Sequence, residues 1–324
     1  MGIKCLTKLL KQKSPDSIQT EQLHKLSGKK VAIDSSLFIY QFLMNGSHPS
    51  NHISGIFYKT INYLSLNIEP IYIFDGKPPE QKCKIIEERK KKAENAKNKI
   101  QICTNHTDIK KYEKQCIRMT QKHVIDIKKL LNLMGVTYLH IDGEAEAIAS
   151  ELCRIGYVDY VVTEDMDSLP FGCPKLIRTC LDKSIKRNDL ISILNLEKVL
   201  EDLQISYEQF VELCILCGCD YCSNIPRIGN VTAFNIIKMH GSIENFLKSN
   251  IKYNVPDNYE EIYKKSKELF MMYRNKLNVD ELPFNKSLID KSYLQSYLVN
   301  ECKLPHTNVS NAIKKLNNIY IKKT

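Results

Sequence analysis

Asp34, Asp75 and Asp165 each close a short apolar run: Val31-Ala32-Ile33-Asp34, Ile73-Phe74-Asp75 and Val162-Thr163-Glu164-Asp165. Asp165-x-Asp167 puts two carboxylates on one side of an extended segment. Glu144-x-Glu146 follows Asp142-Gly143, with Glu144 in the looser first turn of a helix. Asp220 stands in a Gly-Cys-Asp-Tyr loop after an apolar helix. A single strand-end aspartate is more often a helix N-cap than a ligand. Like charges gathered at one edge, however, destabilise a protein unless cations neutralise them, so the bland reading weakens with each further acid. Oxygen-only ligation suits magnesium or manganese rather than zinc, and seven carboxylates are enough for two ions and two-metal phosphoryl chemistry.

The elements that must carry these acids are legible in outline. Strands are expected at 30–34, 71–75 and 158–162, with weaker candidates at 176–177 and 191–193, and helices at 36–44 and 53–66. Apolar strands alternating with helices predict an α/β fold, a mostly parallel twisted sheet covered by helices. In such sheets the carboxyl ends of the strands face a shared crevice. Between Pro78 and His123 the pattern changes: 82–99 is helical but almost uniformly charged, and a second helical run, 108–134, becomes amphipathic only after Val124. Such a polar pair is either a solvated excursion or something that closes around a ligand. From about Glu197 the chain reads as all helix, punctuated by Gly218, Gly229 and Gly241.

Composition sets bounds. The 324 residues, 43% hydrophobic and 26% charged, are those of a globular chain able to bury a large core. No apolar run reaches eighteen residues, so no membrane span is expected. The start of the chain lacks a secretory core, and Leu6 stands where the myristoylation pattern wants Ser or Thr. The twelve cysteines are therefore read as reduced thiols of the nucleus, the cytoplasm or a viral replication compartment, and the protein as not secreted. Net charge is +10; the 37 acids less the seven above leave 30 against 47 Lys and Arg, an excess of 17 over the remaining surface. That field favours a polyanion, although lysine-rich composition from AT-rich coding would also produce it.

Several segments resemble the flap endonucleases, structure-specific nucleases related to the xeroderma pigmentosum G excision nuclease. They are Met1-Gly2-Ile3, Val31-Ala32-Ile33-Asp34, Ile39-Tyr40-Gln41-Phe42-Leu43 and Phe74-Asp75-Gly76-Lys77-Pro78-Pro79. They continue with Glu144-Ala145-Glu146-Ala147, Thr163-Glu164-Asp165-Met166-Asp167 and the run from Leu213 through Gly218-Cys219-Asp220-Tyr221 to Cys222. Each is weak alone; their order and spacing over residues 1–320 are specific. The resemblance implies a PIN-like 5′-nuclease fold, a single nuclease domain over 1–324. Its parts would be an N-terminal region at 1–97, an inserted helical arch and cap at 82–122, an intermediate region at 123–250 and a C-terminal helical region at 251–324. Within the intermediate region, 214–240 would be a helix-two-turn-helix for DNA binding. It implies cleavage of 5′ flaps in replication, repair or recombination, with 5′-to-3′ exonuclease activity alongside, leaving a 5′-phosphate and a 3′-hydroxyl. Asp34, Asp75, Glu144 and Glu146 would surround one Mg2+ or Mn2+, and Asp165, Asp167 and Asp220 a second, partly through water. Lys82 and Arg89, two helical turns apart, match basic residues that reach the scissile phosphate. Tyr40 matches an aromatic on which a base stacks, though ordinary core is the alternative. Gly2 matches a small residue close to the active site, and Lys59 and Arg178 are further candidate DNA contacts.

The chain also departs from the pattern. Around Ile225-Pro226-Arg227-Ile228-Gly229 the family has glycine at Arg227 and basic residues at Val231 and Thr232. Backbone at such a turn still offers amides to phosphate and carbonyls to K+, with Gly229, Arg227 and Lys238 as the DNA contacts. Cys214-x-x-Cys217-x-Cys219-x-x-Cys222 imitates a zinc signature, but its central spacer is too short for a usual knuckle, and buried thiols are expected. Ile321-Lys322-Lys323-Thr324 holds no clamp-binding peptide, so recruitment by a sliding clamp is not expected. The 45–52 segment is short where the family has a longer loop. The expected partner is branched or flapped DNA, and the expected state a monomer. The competing readings are a sister nuclease for duplex ends or four-way junctions, a catalytically inactive DNA-binding protein, and a ribonuclease.

Overall fold

Val31, Ala32, Ile33 and Ile71 through Phe74 are all 0–1% exposed, with no alternate residue turned to solvent. A run buried on both faces is a central strand between layers of helices. The structure is a computed structural model and describes residues 2–46, 48–103, 105–179, 181, 189–249 and 252–321. Met1 of the N-terminal motif, Ser47 of the 45–52 segment and residues 322–324 of the tail lie outside the described residues.

In chain order the elements are α1 (Leu6–Lys13), β1 (Ile18–Gln22), β2 (Lys30–Asp34), α2 (Ser35–Met44), α3 (Asn51–Ser65) and β3 (Glu69–Phe74). Then come α4 (Cys83–Ile102), α5 (His106–Cys116), α6 (Gln121–Met134), β4 (Tyr138–His140), α7 (Ala145–Arg154), β5 (Tyr160–Val162), β6 (Lys175–Thr179) and β7 (Leu190–Asn195). The rest is α8 (Leu196–Leu203), α9 (Tyr207–Cys217), α10 (Asn230–His240), α11 (Ile243–Ser249), α12 (Tyr259–Met271), β8 (Phe284–Asn285), α13 (Lys291–Ser296) and α14 (His306–Ile321). They pack as two units interleaved along the chain. The first is Met1–Lys25, Pro78–Lys82 and Glu144–Glu281; the second is Leu26–Lys77, Cys83–Gly143 and Leu282–Thr324.

In the first unit the strand order is β1-β7-β6-β5. β5 and β6 are parallel, while β7 runs antiparallel to both β6 and β1. Helix α9 buries every residue from Phe210 to Cys217, which marks it as a core helix rather than a surface one. In the second unit β2, β3 and β4 are parallel neighbours, and β8 joins β4 antiparallel. Helix α3 buries Ile53, Ile56, Phe57, Thr60, Ile61 and Leu64, a single stripe at helical spacing. Each large apolar side chain in it contributes about 1.5–3 kcal/mol. The Thr60 hydroxyl buried with it is matched: Thr60 Oγ1 and the Tyr72 hydroxyl lie 2.7 Å apart.

Helix α4 behaves differently. Of its twenty residues only Ala93 and Ala96 are buried. It is held against α5 by small contacts: Cys116 Sγ donates to the Ala93 carbonyl at 3.7 Å, and the Lys99 ammonium lies 5.5 Å from the Tyr112 ring.

The structure differs from the sequence reading in several places. The helical run over 108–134 is two helices, because Thr120 and His123 form a capping box that starts α6 afresh. The helical C-terminal stretch is interrupted by β8. In the first unit β1, a polar strand that the apolar criterion passes over, adds antiparallel to β7. No helix among the described residues is long and apolar enough to cross a membrane.

Candidate active site

In the first unit, the chain after β5 turns through a 3₁₀ segment in which Asp165 caps the turn, its Oδ1 accepting from the Asp167 amide at 3.1 Å. Asp165 is 9% and Asp167 2% exposed. Asp167 Oδ1 is buried with no hydrogen-bond partner. Burial first, then the charges of Asp165 and Asp220, push the Asp167 carboxyl well above the ordinary carboxylate range. Asp165 is raised as well, by burial and by Asp220, against the pull of its bond to the Asp167 amide. Glu144 is the N-cap of α7, in extended conformation, and Glu146 lies in the first turn; both are buried. The N-terminal end of α7 favours negative charge there.

Lys82 is the one residue of 82–122 placed in this unit, and its Nζ donates to Glu144 Oε2 at 2.5 Å. The ammonium also lies 5.8 Å from the Tyr221 ring. Gly2 has φ +80, and a Cβ built on it would fall 1.9 Å from Asp165 Oδ1, so only glycine fits. In this unit, then, the structure brings Lys82, Glu144, Asp165 and Asp220 into electrostatic reach of Asp167, with Gly2 against Asp165. Among the described residues, no group of three or more His, Cys, Asp or Glu side chains is disposed to grip one ion directly.

In the second unit Asp34 and Asp75 stand at the same end of adjacent parallel strands, Asp34 opposite Ile73 in register. Asp34 also accepts from the Leu37 amide at 3.2 Å, so it caps α2 as well. The turn after Asp75 is fixed by Gly76, whose amide donates to the Gly143 carbonyl at 3.1 Å. A Cβ there would meet the Ile141 carbonyl oxygen at 2.1 Å. Arg89, on α4, is half-buried, and its carbonyl accepts from the Arg118 guanidinium. Tyr40 is half-buried rather than sealed in the core. Lys59 places its ammonium 4.0 Å from the centre of the Phe38 ring.

Two profiles of known nucleases match the chain: the XPG N-terminal domain over residues 1–98 and the XPG I-region over residues 135–220. A flap endonuclease 1 of Glycine max is 39% identical over 335 residues, covering 98% of this chain and 86% of the relative. The chain belongs to the flap endonuclease family. Among solved structures, the flap endonuclease-1 of Methanococcus jannaschii superposes with a TM-score of 0.69 at 29% identity, covering 95% of this chain and 98% of that one. The catalytic core of Rad2 in complex with DNA substrate gives a TM-score of 0.74 at 22% identity, over 97% and 100%. The mixed α/β sheet covered by helices is thus the 5′-nuclease fold that the motifs implied.

Against the flap endonuclease pattern, Arg227 is the notable departure. It adopts φ 70, the left-handed backbone natural to the family's glycine, and its side chain is exposed. Gly229 caps α10 in extended conformation with open space at its Cβ position. Lys238 turns away from that end of α10 and donates to the Leu203 and Gln204 carbonyls at 3.4 and 3.2 Å. Arg178 is tied to Glu164 Oε2 at 3.3 Å and to Thr7 Oγ1 at 3.1 Å. Cys214, Cys217, Cys219 and Cys222 are buried free thiols, all raised in pKa by burial.

Motif reading passed over Tyr221. Its ring is buried, its hydroxyl has no partner, and burial with Glu144 and Asp167 nearby keeps that hydroxyl protonated. Its place beside Asp220 in the Gly-Cys-Asp-Tyr loop was the available signal.

Proposed function

We propose that this protein is a divalent-metal-dependent, structure-specific endonuclease that cuts 5′ flaps on DNA, leaving a 5′-phosphate and a 3′-hydroxyl. Asp34, Asp75, Glu144, Glu146, Asp165, Asp167 and Asp220 would hold two ions, Mg2+ in preference and Mn2+ in its place. The observation that carries this reading is Asp167: a buried carboxylate among like charges, with an oxygen lacking any partner, in a chain of the flap endonuclease family. The donor set is oxygen throughout, and carboxylates that leave room for water suit magnesium, which dehydrates reluctantly. Bound ions would supply an activated water and neutralise charge on the phosphate.

The chain's own residues do the rest. Lys82 and Arg89 bring positive charge to the scissile phosphate, and Tyr40 offers a ring face to an unpaired base. Helices α4 and α5 act as an arch and cap through which a single 5′ strand passes. The segment 214–240 serves as the helix-two-turn-helix, binding duplex phosphates through backbone amides, with K+ on its carbonyls. The enzyme would act wherever such DNA arises, in the nucleus, the cytoplasm or a viral replication compartment. The test is a labelled set of flap, nicked, blunt and four-way DNA substrates in magnesium, read for cut position. Incision at the flap base is expected. Preference for blunt ends or four-way junctions would move the protein to a sister specificity, and no incision would remove the activity.

A further inference from the structure

Residues 2–5 make a chain of contacts that runs from Asp165 to the turn before α10. Gly2 lies against Asp165. Ile3 is buried. The Lys4 amide donates to the Gly218 carbonyl at 3.0 Å, two residues before Asp220. The Lys4 ammonium donates to Asn224 Oδ1 at 3.0 Å, and Asn224 Nδ2 in turn donates to the Ile228 carbonyl at 3.2 Å, inside the turn. The Asn230 side chain, first residue of α10, donates to the Cys5 carbonyl at 3.2 Å. Cys5 holds φ 57, a left-handed conformation that a non-glycine residue keeps only when its surroundings impose it. All of these contacts lie within the first unit.

We infer that this four-residue segment is a mechanical link, with Lys4, Asn224 and Asn230 as positioning residues that couple duplex binding at the turn to the placement of Asp165 and Asp220. The inference rests on the flap-cutting activity proposed above. Phosphate seated on the amides around Gly229 and Asn230 fixes the end of α10. The Asn230 bond then fixes Cys5, and the Lys4 bonds fix Gly218 and the turn together. Gly2 sits at the far end, against the first acid. The Lys4 and Asn230 side-chain contacts are exposed, and exposed polar contacts contribute little to stability. Their loss should therefore leave a folded protein whose acids are less well placed, and misplacement of about 1 Å lowers rates by up to about a hundredfold.

The experiment compares single-turnover cleavage of a 5′ flap in Mg2+ with DNA affinity in Ca2+ and with the thermal midpoint. Lys4→Met, Asn224→Leu and Asn230→Ala should each cut about tenfold or more slowly. Affinity should stay within about twofold of the wild type, and the midpoint should be unchanged in Lys4→Met and Asn230→Ala, whose contacts are exposed; Asn224→Leu also loses a part-buried bond to the Ile228 carbonyl and should show a lower midpoint. Asn224→Asp keeps an acceptor for Lys4 but loses the donor to the Ile228 carbonyl, so it should restore only part of the rate that Asn224→Leu loses. Combining Lys4→Met with Asn230→Ala should slow cleavage little beyond either alone, because both break one link. Wild-type rates in the single variants, or rate losses that merely follow lost affinity, would overturn the link. A wild-type protein that leaves flaps intact would overturn the activity reading, and the link with it, before any variant is compared.

Discussion

Asp167 is the clearest case of a side chain that the fold alone does not justify. Buried beside Asp165 and Asp220, it holds a proton that the unfolded chain would release near pH 3.8. Raising pH above that value therefore removes stability, since the folded state binds more protons than the unfolded one. A cation in place of the proton reverses the penalty. Magnesium should accordingly raise the thermal midpoint of the metal-free protein, by about 2.7 kcal/mol in stability at a hundred times its Kd. Asp165→Ala should lose most of that shift and all detectable cleavage while keeping DNA affinity. An unaltered magnesium shift and normal turnover would take Asp165 out of the site. Lys82 and Arg89 make a different prediction. Their charge matters most where charge builds up at the phosphate, so Lys82→Ala and Arg89→Ala should each slow single-turnover cleavage by about a hundredfold, with a smaller effect on affinity. If only affinity falls, they are general attractors.

Among the elements, the turn before α10 carries a conflict between backbone and charge. Arg227 occupies a left-handed conformation that a side chain with a Cβ adopts at a cost of about 1–2 kcal/mol. Arg227→Gly should raise the thermal midpoint by about 1–3 °C, at about 1.5 °C per kcal/mol for 324 residues with an unfolding entropy of about 2.1 cal/mol/K each. The same change removes a cation, so the salt dependence of DNA affinity should flatten by about one unit of slope. A stabilised variant with an unchanged slope would show that Arg227 never meets phosphate. These effects also mark what sequence could reveal. The strands β2 and β3 and the stripe on α3 announce themselves through burial, because period and apolarity are local properties. The acids at their ends are legible for the same reason. β1 is not, since Ile18-Gln-Thr-Glu-Gln is an edge strand with exposed polar residues, and neither is the three-residue β4. The break before α6 depends on a cap by Thr120, which an unbroken helical pattern conceals. Contacts such as Lys4 with Asn224, 220 residues apart in the chain, leave no local trace at all.

At the scale of the whole molecule, the net charge of +10 favours a polyanion, and α4 buries only two of its twenty residues. If a single strand passes through the arch of α4 and α5, a bulky protein fixed to the 5′ terminus beforehand should block cleavage. The same block added after the DNA has bound should leave the cut intact. Equal cleavage of blocked and free flaps would rule out passage while leaving the hydrolytic chemistry standing. The interleaving of the two units has its own consequence, for synthesis on the ribosome. The first unit has all its residues once Glu281 has been made. The second still lacks its segment Leu282–Thr324, which supplies β8 to the edge of β4 and carries α13 and α14. A nascent chain of that length therefore leaves bare the β4 edge and the part of α3 that α14 covers, both of which want cover. Until those residues are made, the second unit lacks the strand that pairs with β4 and the helix that packs on α3.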